Sequence, residues 1–157
     1  MAPPLLVDLT KIDLGRVAVP IEEIRQYNPQ RYEMEQLGGV IHLDPSAGQI
    51  VAYKDVGADE FWVRGHIPGR PLMPGVLMIE AAAQMCSLYY KRVTQDPRFL
   101  GFGGVDGVRF RGQVVPGDRL LLLGQAIEIR NRRAVFDTQG VVGDRLVFEA
   151  RITGMPM

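Results

Sequence analysis

Alternation and helical periodicity divide the chain into a strand-rich frame and one apolar helix. From Arg145 to Thr153, Leu146, Phe148, Ala150 and Ile152 alternate with Val147, Glu149 and Arg151, a period of two that predicts a strand with one buried face. Val105 to Val115, Leu120 to Arg130 and Ala134 to Val142 also read as strands, separated by the turn formers Pro116-Gly117-Asp118, Asn131-Arg132-Arg133 and Gly143-Asp144. Upstream, Gly39 to Leu43 and Gln49 to Tyr53 flank Asp44-Pro45-Ser46-Ala47-Gly48, the pattern of a hairpin. Pro20 opens a short helix through Ile21-Glu22-Glu23-Ile24-Arg25 that stops at Asn28-Pro29.

From Pro74 to about Lys91 the sequence is rich in Ala, Met and Leu, with no glycine after Gly75 and no proline after Pro74, so a helix over about 74–91 is expected. Its apolar residues run nearly all the way round, which requires wrapping on most sides, and Ala81-Ala82-Ala83 lets another backbone come close. Short turns imply antiparallel pairing. The expected class is α+β: a curved antiparallel sheet around one long central helix, in a single domain over 1–157 with residues 1–20 an extended N-terminal segment.

Composition changes this picture little. The 157 residues hold 18 basic and 18 acidic side chains, which argues against nucleic acid as the main partner. The balance hides an asymmetry: residues 1–90 carry seven Lys/Arg and eleven Asp/Glu, and residues 91–157 the reverse, so an acidic partner suits the second half. Cys86 is the sole cysteine, and the N-terminus lacks a basic region followed by a long apolar core, so a cytoplasmic location is expected. No run of about 18 apolar residues is present to span a membrane as a helix.

The chemistry concentrates in His66-Ile67-Pro68-Gly69-Arg70-Pro71-Leu72-Met73-Pro74-Gly75 and the helix that follows. Glu80 is the one charge between Pro71 and Tyr90, where a carboxylate needs a partner or a proton, and a carboxylic acid beside an imidazole is a proton-transfer pair. The first N–H groups of the helix, at Gly75, lack intrahelical acceptors and sit at its positive end, where an oxygen gaining negative charge is stabilised. By residue type alone His66 also reads as a hydrogen-bonded loop histidine, Gly75 as a turn residue, and Gln84 either as the residue that orients Glu80 or as a link to a neighbouring strand. With two histidines at no ligand spacing, no metal site is expected.

The run from Gly65-His66 through Gly69-Arg70-Pro71, Met73-Pro74-Gly75-Val76-Leu77 and Ile79-Glu80-Ala81 to Gln84 closely resembles the active-site signature of the 3-hydroxyacyl-acyl carrier protein dehydratases of the FabZ type. Gly107-Val108-Arg109-Phe110-Arg111 and Val114-Val115-Pro116-Gly117-Asp118 are similar to the family's strand and turn after the helix, and weaker similarity extends from about Ile21 to Ile152. The resemblance implies a hot-dog fold and a homodimer, in many members a trimer of dimers forming a hexamer, whose sites combine the histidine of one chain with the glutamate of the other. It implies catalytic roles for His66 as base, Glu80 as acid and the Gly75 N–H as oxygen holder, in dehydration of (3R)-3-hydroxyacyl-acyl carrier protein to the trans-2-enoyl form in fatty acid biosynthesis. No cofactor is expected, because elimination of water is redox-neutral.

Two departures bear on the acyl group. Ile67 stands where the family usually has phenylalanine, and Pro29-Gln30-Arg31 replaces a Pro-His-Arg element. Phe61, Ile67, Leu72, Met73, Gln84 and Phe102 are candidate substrate-binding residues, with Trp62 beside them, and the apolar ones read equally as core. Arg109, Arg111, Arg132 and Arg133 are candidates for docking acyl carrier protein, or solvated charges on strands and turns. The alternatives to dehydration are a hot-dog acyl thioesterase and a non-catalytic acyl-thioester-binding protein. A dehydratase that also isomerises is less expected, because such relatives usually carry aspartate where Glu80 stands.

Overall fold

The computed structural model describes residues 2–157. Its elements in chain order are β1 (Val19–Pro20), α1 (Ile21–Tyr27), β2 (Gly39–Asp44), β3 (Gln49–Asp55), α2 (Gly75–Thr94), β4 (Leu100–Phe110), β5 (Arg119–Ile129), β6 (Ala134–Val142) and β7 (Arg145–Pro156), with short 3-10 turns at Leu9–Lys11 and Tyr32–Met34. All pairings are antiparallel, in one seven-stranded sheet of order β1-β2-β3-β5-β6-β7-β4. This is the hot-dog arrangement, a sheet curled round one long helix.

Ten of the twenty residues of α2 are buried. Met78, Ala82, Met85 and Tyr89 lie in one apolar cluster with Ile50, Leu122, Phe136 and Phe148 of the sheet, and the Tyr89 ring meets Phe136 edge-on at 5.5 Å. The opposite face of the sheet is covered as well. Val7, with Leu6, Leu9 and Ile12 around it, packs on Ile41, Val51, Leu121, Leu123 and Val141. That strap explains why Leu120 to Leu123 is an unbroken apolar run: the strand is buried on both faces, so alternation disappears.

Two elements depart from the periodicity reading. The strand expected to begin at Val105 begins at Leu100, through Gly101-Phe102-Gly103-Gly104, and ends at Phe110 rather than Val115. Those glycines signal a loop in sequence, yet they pair with β7 through an irregularity at Phe102/Gly104, and a side chain on Gly103 would meet Met155 at 2.9 Å. In β7, Leu146 joins the outer cluster while Val147 joins the inner one. The register shifts there, with Gly140 opposite Phe148 and Val141 opposite Leu146, so Val147 is an extra residue that reverses the phase of the alternation.

β4 closes one end of the sheet, and among the described residues its outer edge has no partner strand. Phe102 and Phe110 on this strand are each about half exposed, at 50% and 51%.

Candidate active site

The segment between β3 and α2 is fixed at both ends and looped out in the middle. At its start, the Val56 N–H donates to the Asp118 carbonyl (2.9 Å) and the Gly117 N–H to the Val56 carbonyl (2.8 Å). Lys54, buried on β3, pairs with Glu60 at 3.2 Å, and the other Glu60 oxygen accepts from the Gly57 N–H at 3.1 Å. Trp62 and Met73 are sunk in the main core, and the Met73 N–H donates to the Val114 carbonyl at 2.8 Å. Between those two anchors the chain turns at the surface, with Gly69 at φ +79°, a conformation that favours glycine.

His66 sits on this turn, exposed. Its Nδ1 lies 2.7 Å from the Leu72 carbonyl oxygen, which can only accept, so the neutral ring carries its hydrogen on Nδ1. The Nε2 lone pair is left free, the state a general base requires.

Glu80 lies on the second turn of α2, half-buried. Its Oε1 accepts from Gln84 Nε2 at 2.8 Å. The same amide nitrogen donates to the Met34 carbonyl (2.7 Å), and Gln84 Oε1 accepts from the Gln36 N–H (3.0 Å). The side chain thus bonds Glu80 and ties α2 to the 34–36 segment; the expected link to a neighbouring strand is not found, because that segment is not a strand. That segment is held in turn by Arg25, whose forked bonds to Glu35 at 2.7 and 2.8 Å keep the Glu35 carboxyl below its ordinary range.

Gly75 opens α2 after Pro74, and its N–H is the first of the helix. A Cβ there would lie 2.7 Å from the Phe110 ring, so glycine is needed for the approach of β4.

A cavity of about 170 Å³ runs along α2 from Glu80. One wall is Glu80, Ala83, Gln84 and Ser87, spaced i, i+3, i+4 and i+7; the other is Phe102 with Leu100 and Gly101 of β4 and Ile152 to Gly154 of β7, and Gln30 stands at its side. Cys86 also borders it, its thiol pushed far up by burial and so held in the uncharged form. His66 is not among the lining residues of this chain. Of the sequence-derived substrate candidates, Gln84 and Phe102 reach the cavity, Met73 is core, Phe61 is exposed, and Ile67 and Leu72 stay on the His66 turn. Gln30 belongs to the Pro29-Gln30-Arg31 departure noted in the sequence, whereas Ser87, Leu100 and Ile152 were not singled out as site residues. For Ser87 the signal was present, since the stripe Glu80-Gln84-Ser87 follows from helical spacing alone.

The four docking arginines do not gather in one patch. Arg109 and Arg111 flank Phe110, near Gly75, with Arg111 paired to Glu149 at 2.5 Å. Arg132 and Arg133 lie in the β5–β6 turn, beside Gly154 and Phe102, and Arg133 pairs with Glu128 at 2.7 Å. Arg109 lies seven positions beyond Phe102, roughly 20 Å along β4. A larger hollow of about 530 Å³ lies under Pro3 and Pro4 against β4, β6 and β7; Glu149, the partner of Arg111, lines it, and neither His66 nor Glu80 does. Among the described residues no cluster of three or more His, Cys, Asp or Glu is placed to hold a metal ion, and no helix is long and apolar enough to cross a membrane.

Residues 28–151 match the family of FabA-like domains. The chain is 40% identical over 136 residues to the 3-hydroxyacyl-[acyl-carrier-protein] dehydratase FabZ of Teredinibacter turnerae, covering 84% of this chain and 92% of the relative. In fold it is similar to a chain of the dehydratase heterocomplex ApeI:P from Xenorhabdus doucetiae, with TM-score 0.72, 15% identity, and 85% and 90% of the two chains covered. It is also similar to the protein PH1136 from Pyrococcus horikoshii, with TM-score 0.61, 18% identity, and 77% and 83% covered. Taken with the His66 turn and the helix carrying Glu80, these likenesses show that the chain belongs to the FabA-like family of hot-dog dehydratases, and within it to the FabZ type.

Proposed function

We propose that this protein removes water from (3R)-3-hydroxyacyl-acyl carrier protein to give the trans-2-enoyl thioester in fatty acid biosynthesis, at sites shared between two copies of the chain. The His66 Nε2 takes the C2 proton, the C2–H electrons become the C2–C3 double bond, and the C3 hydroxyl leaves as water with a proton from Glu80. The Gly75 N–H holds the thioester oxygen as it gains charge. Arg109 and Arg111, close to Gly75, are better sited for the carrier and its phosphate-bearing arm than Arg132 and Arg133.

The observation that carries the reading is Glu80, held by Gln84, in a cavity whose far wall includes β4, a strand with no partner on its outer edge among the described residues, and which this chain's own His66 does not line. Pairing of β4 with its copy would cover Phe102 and Phe110 and bring a second chain's residues to that wall.

The test follows hydration of a carrier-bound crotonyl thioester by loss of its enoyl absorbance. His66→Ala and Glu80→Gln are each expected to slow it roughly a hundredfold or more. Rates unchanged in both variants overturn the proposed chemistry, and free thiol released with the enoyl group intact turns the reading toward hydrolysis.

A further inference from the structure

Arg31, of the Pro29-Gln30-Arg31 element, has no part in the proposed chemistry, yet its guanidinium is tied to the chain at three points. Its Nη1 donates to the Asn28 and Gln30 carbonyls, both at 2.8 Å, and its Nη2 to the Arg25 carbonyl at 3.0 Å. α1 ends at Tyr27, so the Arg25 carbonyl is one of those the helix leaves without a donor, and a cation is favoured at that negative end. The fork folds residues 28–31 back on the end of α1. Tyr32 then reverses the chain at φ +57°, a left-handed backbone that a tyrosine keeps only where its surroundings hold it. The chain returns to α2 at residues 34–36, where Arg25 meets Glu35 and Gln36 Nε2 donates to the Glu33 carbonyl at 2.9 Å.

This loop grips α2 at one residue. Asn28, only 4% exposed, donates from Nδ2 to the Gln84 carbonyl at 3.0 Å, while the Met34 carbonyl and the Gln36 N–H hold the Gln84 side chain that bonds Glu80. We propose that Arg31 is a positioning residue: it sets the loop that aims Gln84, and through Gln84 the Glu80 carboxyl. The three hydrogen bonds of the Gln84 side chain span 2.7 to 3.0 Å, so a loop shift of about 1 Å breaks them. A misplacement of that size at a proton donor lowers the rate far more than it weakens binding. The planar fork of arginine holds several carbonyls in one geometry, whereas lysine on its flexible stem keeps only the charge. The role of Glu80 as acid rests on the dehydratase reading; the hold on Gln84 does not.

The experiment follows hydration of the carrier-bound crotonyl thioester with wild type, Arg31→Met, Arg31→Lys, Gln84→Leu and the Arg31→Met, Gln84→Leu double variant. Amide exchange is measured in the same proteins. Both Arg31 variants are expected to lower kcat about fivefold, with KM within about twofold of wild type. In the Gln84→Leu background Arg31→Met is expected to lower kcat no further, because the link is already cut, although Tm falls in both backgrounds. The Gln36 N–H, which bonds Gln84 Oε1, is expected to exchange about tenfold faster in either Arg31 variant while the amides of β5 keep their protection. Thermal melts check folding, and Arg31→Lys, which keeps the charge beside α1, carries the test where Arg31→Met does not fold. Wild-type kcat in Arg31→Lys, or an equal loss of kcat with and without Gln84, overturns the positioning role and leaves dehydration standing. If wild type leaves the thioester unhydrated, the dehydratase reading falls and exchange at Gln36 decides alone: quickened, it upholds the hold on Gln84, and unchanged, it overturns it.

Discussion

At the scale of single residues, Gln84 has both amide hydrogens and its oxygen engaged, on Met34, Glu80 and Gln36. Substituting leucine keeps the bulk and removes all three bonds. The Gln36 N–H and Met34 carbonyl then lose their side-chain partner, which costs roughly 2–5 kcal/mol in total and lowers Tm. Glu80 loses the bond that aims it. For Gln84→Leu we expect kcat to fall about tenfold or more with KM changed far less, because aim matters at the transition state more than in binding. A KM change with intact kcat would remove Gln84 from the positioning role. The sequence showed Glu80 and Gln84 on one helical stripe, because helical spacing alone puts i and i+4 together. It did not show the partners of Gln84, since two of them are backbone groups whose positions depend on how the chain after α1 returns to the helix. The tautomer of His66 was equally hidden: it is set by the Leu72 carbonyl, which nothing but the turn geometry brings there.

At the scale of elements, the His66 turn depends on its anchors. Lys54 and Glu60 have side-chain exposures of only 8% and 15%, so removing one charge strands the other in a poorly hydrated place. Lys54→Met is expected to destabilise the protein by roughly 3 kcal/mol, read as a lower urea midpoint with unchanged m-value. Adding Glu60→Gln should recover most of that loss, as a double-mutant cycle measures. In the single variant, amide exchange should quicken at His66 and Arg70, whose N–H groups bond within the turn to the Trp62 and Ile67 carbonyls. Uniform protection across the turn would assign the pair to β3 alone. Most elements were legible because their apolar periods agree with burial: the hairpin of β2 and β3, α2, β5 and β6 stand close to where the pattern put them. The start of β4 was not, since its glycines accommodate Met155 of the neighbouring strand and Met157 just beyond it rather than forming a loop. Nor was the bulge at Val147, which leaves both flanking stretches strand-like and changes only their facing.

At the scale of the whole molecule, the proposed chemistry is a statement about two chains. One chain presents a free imidazole nitrogen on an exposed turn and, in a cavity that this turn does not line, a hydrogen-bonded carboxyl group beside a sheet edge unpaired among the described residues. If sites combine His66 of one copy with Glu80 of the other, two dead variants together contain a live site. In a dimer of His66→Ala with Glu80→Gln, one site has lost both groups, whereas the other pairs the intact histidine of the second chain with the intact glutamate of the first. Unfolding and refolding an equal mixture makes about half the dimers mixed, each with one working site of two, so activity should return to about a quarter of wild type. Each variant refolded alone stays inactive. A site built within one chain gives no such return, because every copy then lacks one of its two groups. Replacing exposed Phe102 on β4 with glutamate separates the two ideas further. If that edge is the interface, size measured by sedimentation falls to a monomer, and the mixed refolding recovers nothing although both variants fold.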